Sequence, residues 1–126
     1  MLPAAHRLTR GDDFRHVTRR GRRGHSATLV VHLLRGGRHA APSAGATRIG
    51  FVVGRAVGPS VVRHQVQRRL RHLCRDRLDV IPMGTLLVVR ALPGAAHASY
   101  QELAADLDRC LQRALADAGS GPGTVS

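Results

Sequence analysis

The side chains in this sequence best suited to chemistry are arginines, and their spacing is helical. His64, Arg68, Arg71 and Arg75 follow one another at intervals of 4, 3 and 4 residues. On an α-helix that spacing lines them along one face over about 16 Å of axis. Gln65 and His72 flank the row, and Arg63 and Arg69 stand at its boundaries. A guanidinium stays charged at all ordinary pH, so such a row is not acid–base machinery; its chemistry is forked, bidentate recognition of phosphate and stacking on bases. Like charges one turn apart cost a helix about 0.2–0.5 kcal/mol per pair. No carboxylate interrupts the row before Asp76. A merely solvated face would mix signs, so the row is expected to be a phosphate-binding rail.

Other chemistries find little support. Metal-assisted phosphodiester hydrolysis needs clustered carboxylates, and residues 1–78 contain just Asp12, Asp13 and Asp76. The first two suit the start of a helix. A metal-free ribonuclease needs a histidine pair beside a cation. The eight histidines show no HxxxH or HExxH spacing, and His64 and His72, on one face, stand about 12 Å apart along the axis. Cys74 and Cys110 lack CxxC spacing and occupy apolar helical positions, which suits packed free thiols. The turn Gly54-Arg55-Ala56-Val57-Gly58 precedes a helix and could offer backbone N–H groups to a phosphate, although it is no P-loop. No catalytic residue and no metal ligand is expected in this chain.

The elements that must position these residues follow from periodicity. A short helix capped by Asp12 or Thr9 is expected to run to Arg20 and stop at Gly21, with Leu8, Phe14 and Val17 as its apolar contacts. Met1–Arg10 is expected to be an extended basic arm and Gly21–Gly24 a basic turn. Ala27–Leu34 and Arg48–Val53 carry strand signals, separated by the Gly/Pro-rich loop Gly36–Ala46. A long helix is expected from Ser60 to about Leu78, with Val62, Val66, Leu70, Leu73 and Cys74 as its buried stripe. Thr85–Val89 is a nearly continuous apolar strand. Ser99-x-x-Glu102 is a capping box for a last helix whose inner face is Leu103, Leu107, Cys110, Leu111, Ala114 and Leu115. One domain over residues 1–118 and a disordered Gly/Ser tail over 119–126 are expected. Helices laid on a single sheet make a small α/β sandwich.

Charge distribution selects the partner. The net charge is +12, and all 20 basic residues are arginine. Residues 1–78 hold 17 arginines against three carboxylates, whereas residues 79–126 hold three arginines against five carboxylates. A compact domain with such a field calls for a polyanion, and a phosphate backbone supplies one through counterion release. No apolar run approaches the ~18 residues of a spanning helix, and Met1–Arg10 lacks a signal-peptide centre, so a cytoplasmic location is expected.

The segment GFVVGRAVGPSVVRHQVQRRLRHLCRDRL, residues 50–78, resembles the signature of the bacterial ribonuclease P protein family. Gly50, Phe51, Val53, Arg55, Gly58, Val61, Val62, Arg63, Arg68 and Arg71 fall on that signature in register. His6-Arg7-Leu8, Asp13-Phe14 and Gly21-Arg22-Arg23 resemble the family's N-terminal pattern. Val88-Val89-Arg90 resembles its last strand, and Tyr100 with Leu103 its last helix. The chain departs from the pattern at His64, where Asn is usual, and at Gln65, Gln67 and Ala56, where Arg or Lys is common. Thr18 and His32 stand where the family often has aromatics.

The resemblance implies an α+β fold, a two-layer α/β sandwich similar to a domain of a small-subunit ribosomal protein. Its element order is α-β-β-(β)-α-β-α, with a left-handed βαβ crossover where physics alone favours a right-handed one. It implies an accessory subunit of an endoribonuclease whose RNA carries the phosphodiester hydrolysis that forms the mature tRNA 5′ end. Arg55, Arg63, His64, Gln65, Arg68, Arg69, Arg71 and Arg75 would meet the catalytic RNA. Phe14, His32, Arg10 and Arg48 would line the cleft for the 5′ leader of precursor tRNA. The protein alone would bind no cofactor, and Mg²⁺ in the holoenzyme would be held by RNA. The partners would be the catalytic RNA and precursor tRNA, with neither membrane nor DNA.

The main alternative is a ribosomal or ribosome-assembly RNA-binding protein, against which the Arg55–Arg71 register argues. An RRM needs two or three exposed aromatics on its sheet, and this chain offers Phe14, Phe51 and Tyr100, of which Phe51 suits the core. Duplex-DNA readout lacks a base-reading set at a helix start beyond His64-Gln65.

Overall fold

The computed structural model describes residues 11–34, 47–82 and 84–120. The expected N-terminal arm, the Gly36–Ala46 loop and residues 121–126 of the expected tail lie outside them. In chain order the described residues form α1 (Gly11–Arg20), β1 (Arg22–His25), β2 (Leu29–Leu34), β3 (Arg48–Val52), α2 (Ser60–Asp76), β4 (Leu86–Ala91) and α3 (Tyr100–Ser120). Single 3-10 turns lie at Leu78–Val80 and Pro93–Ala96. The strands make one sheet in the order β1-β2-β4-β3. β2 runs antiparallel to both β1 and β4, and β3 runs parallel to β4. A parallel pair needs a crossover connection, and α2 supplies it.

The sheet alternates as strands must. Leu29, Val31 and Leu33 of β2, Ile49 of β3 and Leu87, Val89 and Ala91 of β4 share one core with α2 and α3. The helices contribute the expected stripes: Val66, Leu70, Leu73 and Cys74 from α2, and Leu103, Leu107, Cys110, Leu111 and Ala114 from α3. Val62 and Leu115 pack against this core from its margin. The other sheet face carries a smaller cluster, in which Val17 of α1 and Val88 of β4 are fully buried beside Leu34, Val52 and Leu86. The sheet with α2 and α3 is the expected sandwich, and α1 covers part of the opposite face.

Two helix boundaries are legible in local chemistry. The Gly21 N–H donates to the Val17 carbonyl at 2.8 Å, closing α1. At the start of α3 the capping box forms reciprocally: the Glu102 N–H donates to Ser99 Oγ at 3.0 Å and the Ser99 N–H to Glu102 Oε1 at 2.8 Å.

The segment Gly21–Gly24, expected to be a turn, is mostly edge strand β1. Arg22, Arg23, Gly24 and His25 pair with Leu33, His32, Val31 and Val30. The reversal lies instead at Ser26–Leu29, where the Ser26 N–H donates to the Leu29 carbonyl at 2.9 Å and the Leu29 N–H to Ser26 Oγ at 3.1 Å. Pairing with a long apolar strand overrides the poor strand propensity of Gly and Arg. Gly24 has a second role, because a Cβ there would collide with the backbone carbonyl of Cys110. Lacking one, it lets α3 lie directly on β1.

Candidate nucleic-acid interface

The basic helix is organised by the turn before it. After β3 the chain folds through Gly54–Gly58, where the Val57 N–H donates to the Gly54 carbonyl and the Gly58 N–H to the Arg55 carbonyl, both at 3.1 Å. Those two N–H groups are therefore spent inside the turn, and Arg55 is exposed on it. Gly58 has φ +155°, and a Cβ on it would press on the Val62 side chain at 3.2 Å. Pro59 then opens α2 with no side-chain cap.

Along α2 the predicted row is presented outward. His64, Gln65, Arg68, His72 and Arg75 are exposed, and Arg71 is half-buried. Arg68, Arg71 and Arg75 make no hydrogen bond or ion pair among the described residues. Arg63 folds back over the turn, donating from Nε to the Gly58 carbonyl at 3.1 Å and from Nη2 to Ser60 Oγ at 3.2 Å. Arg69 reaches the Ala98 carbonyl from Nη1 at 3.4 Å. These two flanking arginines are thus oriented by the protein, whereas Arg68, Arg71 and Arg75 are not held by any bond among the described residues. Ser60, Val61, His64, Gln65, Arg68 and Arg69 line a groove of about 570 Å³. Val61 stands 80% exposed at its end.

Three acidic residues of the C-terminal half, Asp108, Asp106 and Glu102, are engaged elsewhere than the row. Asp108 of α3 takes a two-pronged contact from Arg77, Nε to Oδ1 at 2.5 Å and Nη2 to Oδ2 at 3.2 Å. The hydrogen bond to Asp108, ahead of any other cause, raises the Arg77 pKa. Asp106 accepts the Thr28 hydroxyl at 2.5 Å, and Glu102 is engaged in the cap. Each of these three carboxylates has a structural partner away from the rail.

A second basic surface lies on the sheet face that α1 partly covers. Directly paired residues share a face, so Arg23 of β1 projects on the same side as His32 of β2. Val88 and Gly50 continue that row across β4 and β3. The neighbouring row runs His25, Val30, Arg90 and Val52. His32 is 9% exposed, and its Nδ1 has no hydrogen-bond partner. Burial first, then the positive charges of Arg23 and Arg90, hold its pKa below the usual 6.5. Arg48, also predicted here, lies on this face two residues along, in register with Leu86. Phe14 falls in α1, though its side chain is outside the description, and Arg10 lies outside the described residues.

Arg23 and Arg90 were not anticipated as site residues. Arg90 carried a usable signal, since it alternates with the core residues Leu87, Val89 and Ala91 and so must face the other way. Arg23 carried none, because its placement depends on the β1–β2 pairing.

Comparison with known proteins decides the family. The model of the family Ribonuclease P matches residues 2–115. The ribonuclease P protein component of Nocardioides sp. is 58% identical over 113 residues, covering 90% of this chain and 94% of that protein. That of Streptomyces bikiniensis is 57% identical over 118 residues, covering 91% and 96%. The chain belongs to the ribonuclease P protein family. Among solved structures, a Staphylococcus aureus RNase P protein mutant with defective mRNA degradation activity matches with a TM-score of 0.74 at 19% identity, over 86% of each chain. The RNase P protein of Thermotoga maritima matches with a TM-score of 0.67 at 24% identity, over 80% of this chain and 90% of that one. The four-stranded sheet and its helices are therefore the ribonuclease P protein fold. As a ribonuclease P protein component, the chain is a subunit of a ribonuclease complex and associates with ribonuclease P RNA.

Proposed function

We propose that this ribonuclease P protein acts as a bridge between two RNAs. The exposed face of α2, with Arg55 beside it, binds the catalytic RNA through Arg63, His64, Gln65, Arg68, Arg69, Arg71 and Arg75. The sheet face beside α1 holds the single-stranded 5′ leader of precursor tRNA, with Phe14, His32, Arg10 and Arg48 as its lining. The RNA subunit carries the hydrolysis of one phosphodiester bond, using Mg²⁺ that it holds itself. This chain positions substrate and lowers the repulsion between two polyanions.

The observation that carries this reading is the row Arg68, Arg71 and Arg75, exposed or half-buried on one helix and lacking a partner among the described residues. Such a row is costly to the isolated protein and is repaid by phosphate.

Reconstitution tests the proposal. The full chain, added to a ribonuclease P RNA and a precursor tRNA at low Mg²⁺, is expected to raise the rate of 5′ leader removal. No gain over RNA alone would overturn it and favour an RNA-binding protein of ribosome assembly. Replacing Phe14 with Ala is expected to weaken binding of precursor tRNA with a leader and to spare leaderless tRNA.

A further inference from the structure

We propose that Arg23, His32 and Arg90 form a phosphate subsite built from donors alone, which seats one phosphodiester of the leader strand. The inference rests on the reading that the leader lies on the sheet face beside α1, and it adds a specific anchor there.

The geometry comes from strand register. Arg23 and His32 are directly opposite on β1 and β2, which sets their Cβ atoms about 4.5–5.5 Å apart. Arg90 is opposite Val30 and therefore diagonal to His32, at roughly 7–8 Å, within reach of a long side chain. The imidazole is thus bracketed by two guanidiniums, both exposed and both without an acceptor among the described residues. None of the four strands carries a carboxylate. Nothing in the sheet itself competes for these donors.

The state of His32 follows from its surroundings. Burial, then the charges of Arg23 and Arg90, disfavours the imidazolium, so at neutral pH and above the ring carries one N–H. Nδ1 is buried and unpartnered. A buried orphan N–H is rarer and worse tolerated than a buried orphan acceptor, which assigns the proton to Nε2. The cluster then presents two guanidinium forks and one neutral N–H, while its one acceptor, Nδ1, is buried. Apart from the N7 and O6 acceptors of guanine, base edges mix donors and acceptors and would leave some unmatched, whereas phosphate oxygens only accept at every nucleotide. An RNA strand brings one such group per nucleotide.

The test uses the assembled holoenzyme and precursor tRNAs in which single leader phosphates are replaced by neutral methylphosphonates. In the unsubstituted protein, one leader position is expected to show a loss of affinity of about fivefold, the scale of one exposed charge contact. Arg90→Ala and Arg23→Ala should each weaken leader-bearing substrate by a similar factor, leave leaderless tRNA and assembly with the catalytic RNA unchanged, and abolish the penalty at that position. His32→Phe, which keeps a ring but loses the donor, should behave like the arginine variants; His32→Asn, which keeps an N–H, should retain most of the affinity. Both arginines are exposed, so their replacement does not threaten the core. Penalties that add to Arg90→Ala at every leader position would overturn the subsite while leaving leader binding to this face intact. Loss of assembly with the catalytic RNA would overturn it differently, by giving the phosphate to the other RNA. Equal binding of precursor and leaderless tRNA by the unaltered holoenzyme would overturn both the subsite and the reading beneath it.

Discussion

His32 is held in an environment that resists protonation, and the consequence reaches beyond binding. Its folded pKa lies below 6.5 because of burial, then Arg23, then Arg90. The unfolded chain therefore takes up this proton first as pH falls. The stabilisation from neutral His32 is complete above about 6.5, the unfolded value, and is lost progressively as pH drops through the folded pKa. An NMR titration of the imidazole should show a midpoint below that of a free histidine, moving up in Arg90→Ala or Arg23→Ala. A midpoint at or above 6.5 would contradict the electrostatic account. The two cysteines follow the same logic with opposite charge. Burial pushes the Cys74 thiol up to about 12, and burial also raises Cys110, whose Sγ lies 3.6 Å from the Leu29 carbonyl. Thiolate is the reactive form, so a thiol reagent at pH 8 should leave both untouched until denaturant is added. Prompt labelling of the native protein would show that these helices are not closed on the sheet.

Among the elements, β1 and α3 depend on one another. Gly24 is the point of contact, since a side chain there meets the Cys110 backbone rather than a movable group. Gly24→Val is expected to cost about 1–3 kcal/mol, the range for overpacking a tight contact, read as a fall in the urea midpoint. Unchanged stability would mean that α3 does not rest on this strand. The β1–α3 contact was invisible in sequence, where Gly21-Arg22-Arg23-Gly24 has the composition of a turn. The capping box at Ser99 and Glu102 was fully legible, because its partners are three residues apart and need no tertiary structure. The buried stripes of α2 and α3 were legible for a similar reason: helical periodicity alone determines which residues share a face.

Across the whole molecule, charge is partitioned rather than paired. Glu102, Asp106 and Asp108 of the last helix are committed to the Ser99 cap, Thr28 and Arg77, and of the arginines in the arginine-rich half they engage Arg77 alone among the described residues. α2 packs on one face of the sheet and α1 on the other, which gives the protein two basic surfaces that do not share a sheet face. Arg68→Ala and Arg71→Ala should each weaken binding to the catalytic RNA and lower the dependence of log affinity on log salt by about one unit. Affinity measured from low to moderate salt checks this, and an unchanged slope would remove these arginines from the interface. The folding stability of Arg68→Ala should stay within about 0.5 kcal/mol of the parent, as expected for an exposed position.

The sequence by itself determined the helices, the apolar strands, the arginine face of α2 and the family, because each depends on local spacing or on a contiguous motif. Tertiary structure alone decided that a Gly- and Arg-rich segment becomes a strand. It also decided that Arg23, His32 and Arg90, up to 67 positions apart in the chain, meet on one face. Strand register is a long-range choice: a slip of one residue would turn Arg23 or Arg90 toward the opposite face. No pattern within either segment fixes which partner it meets.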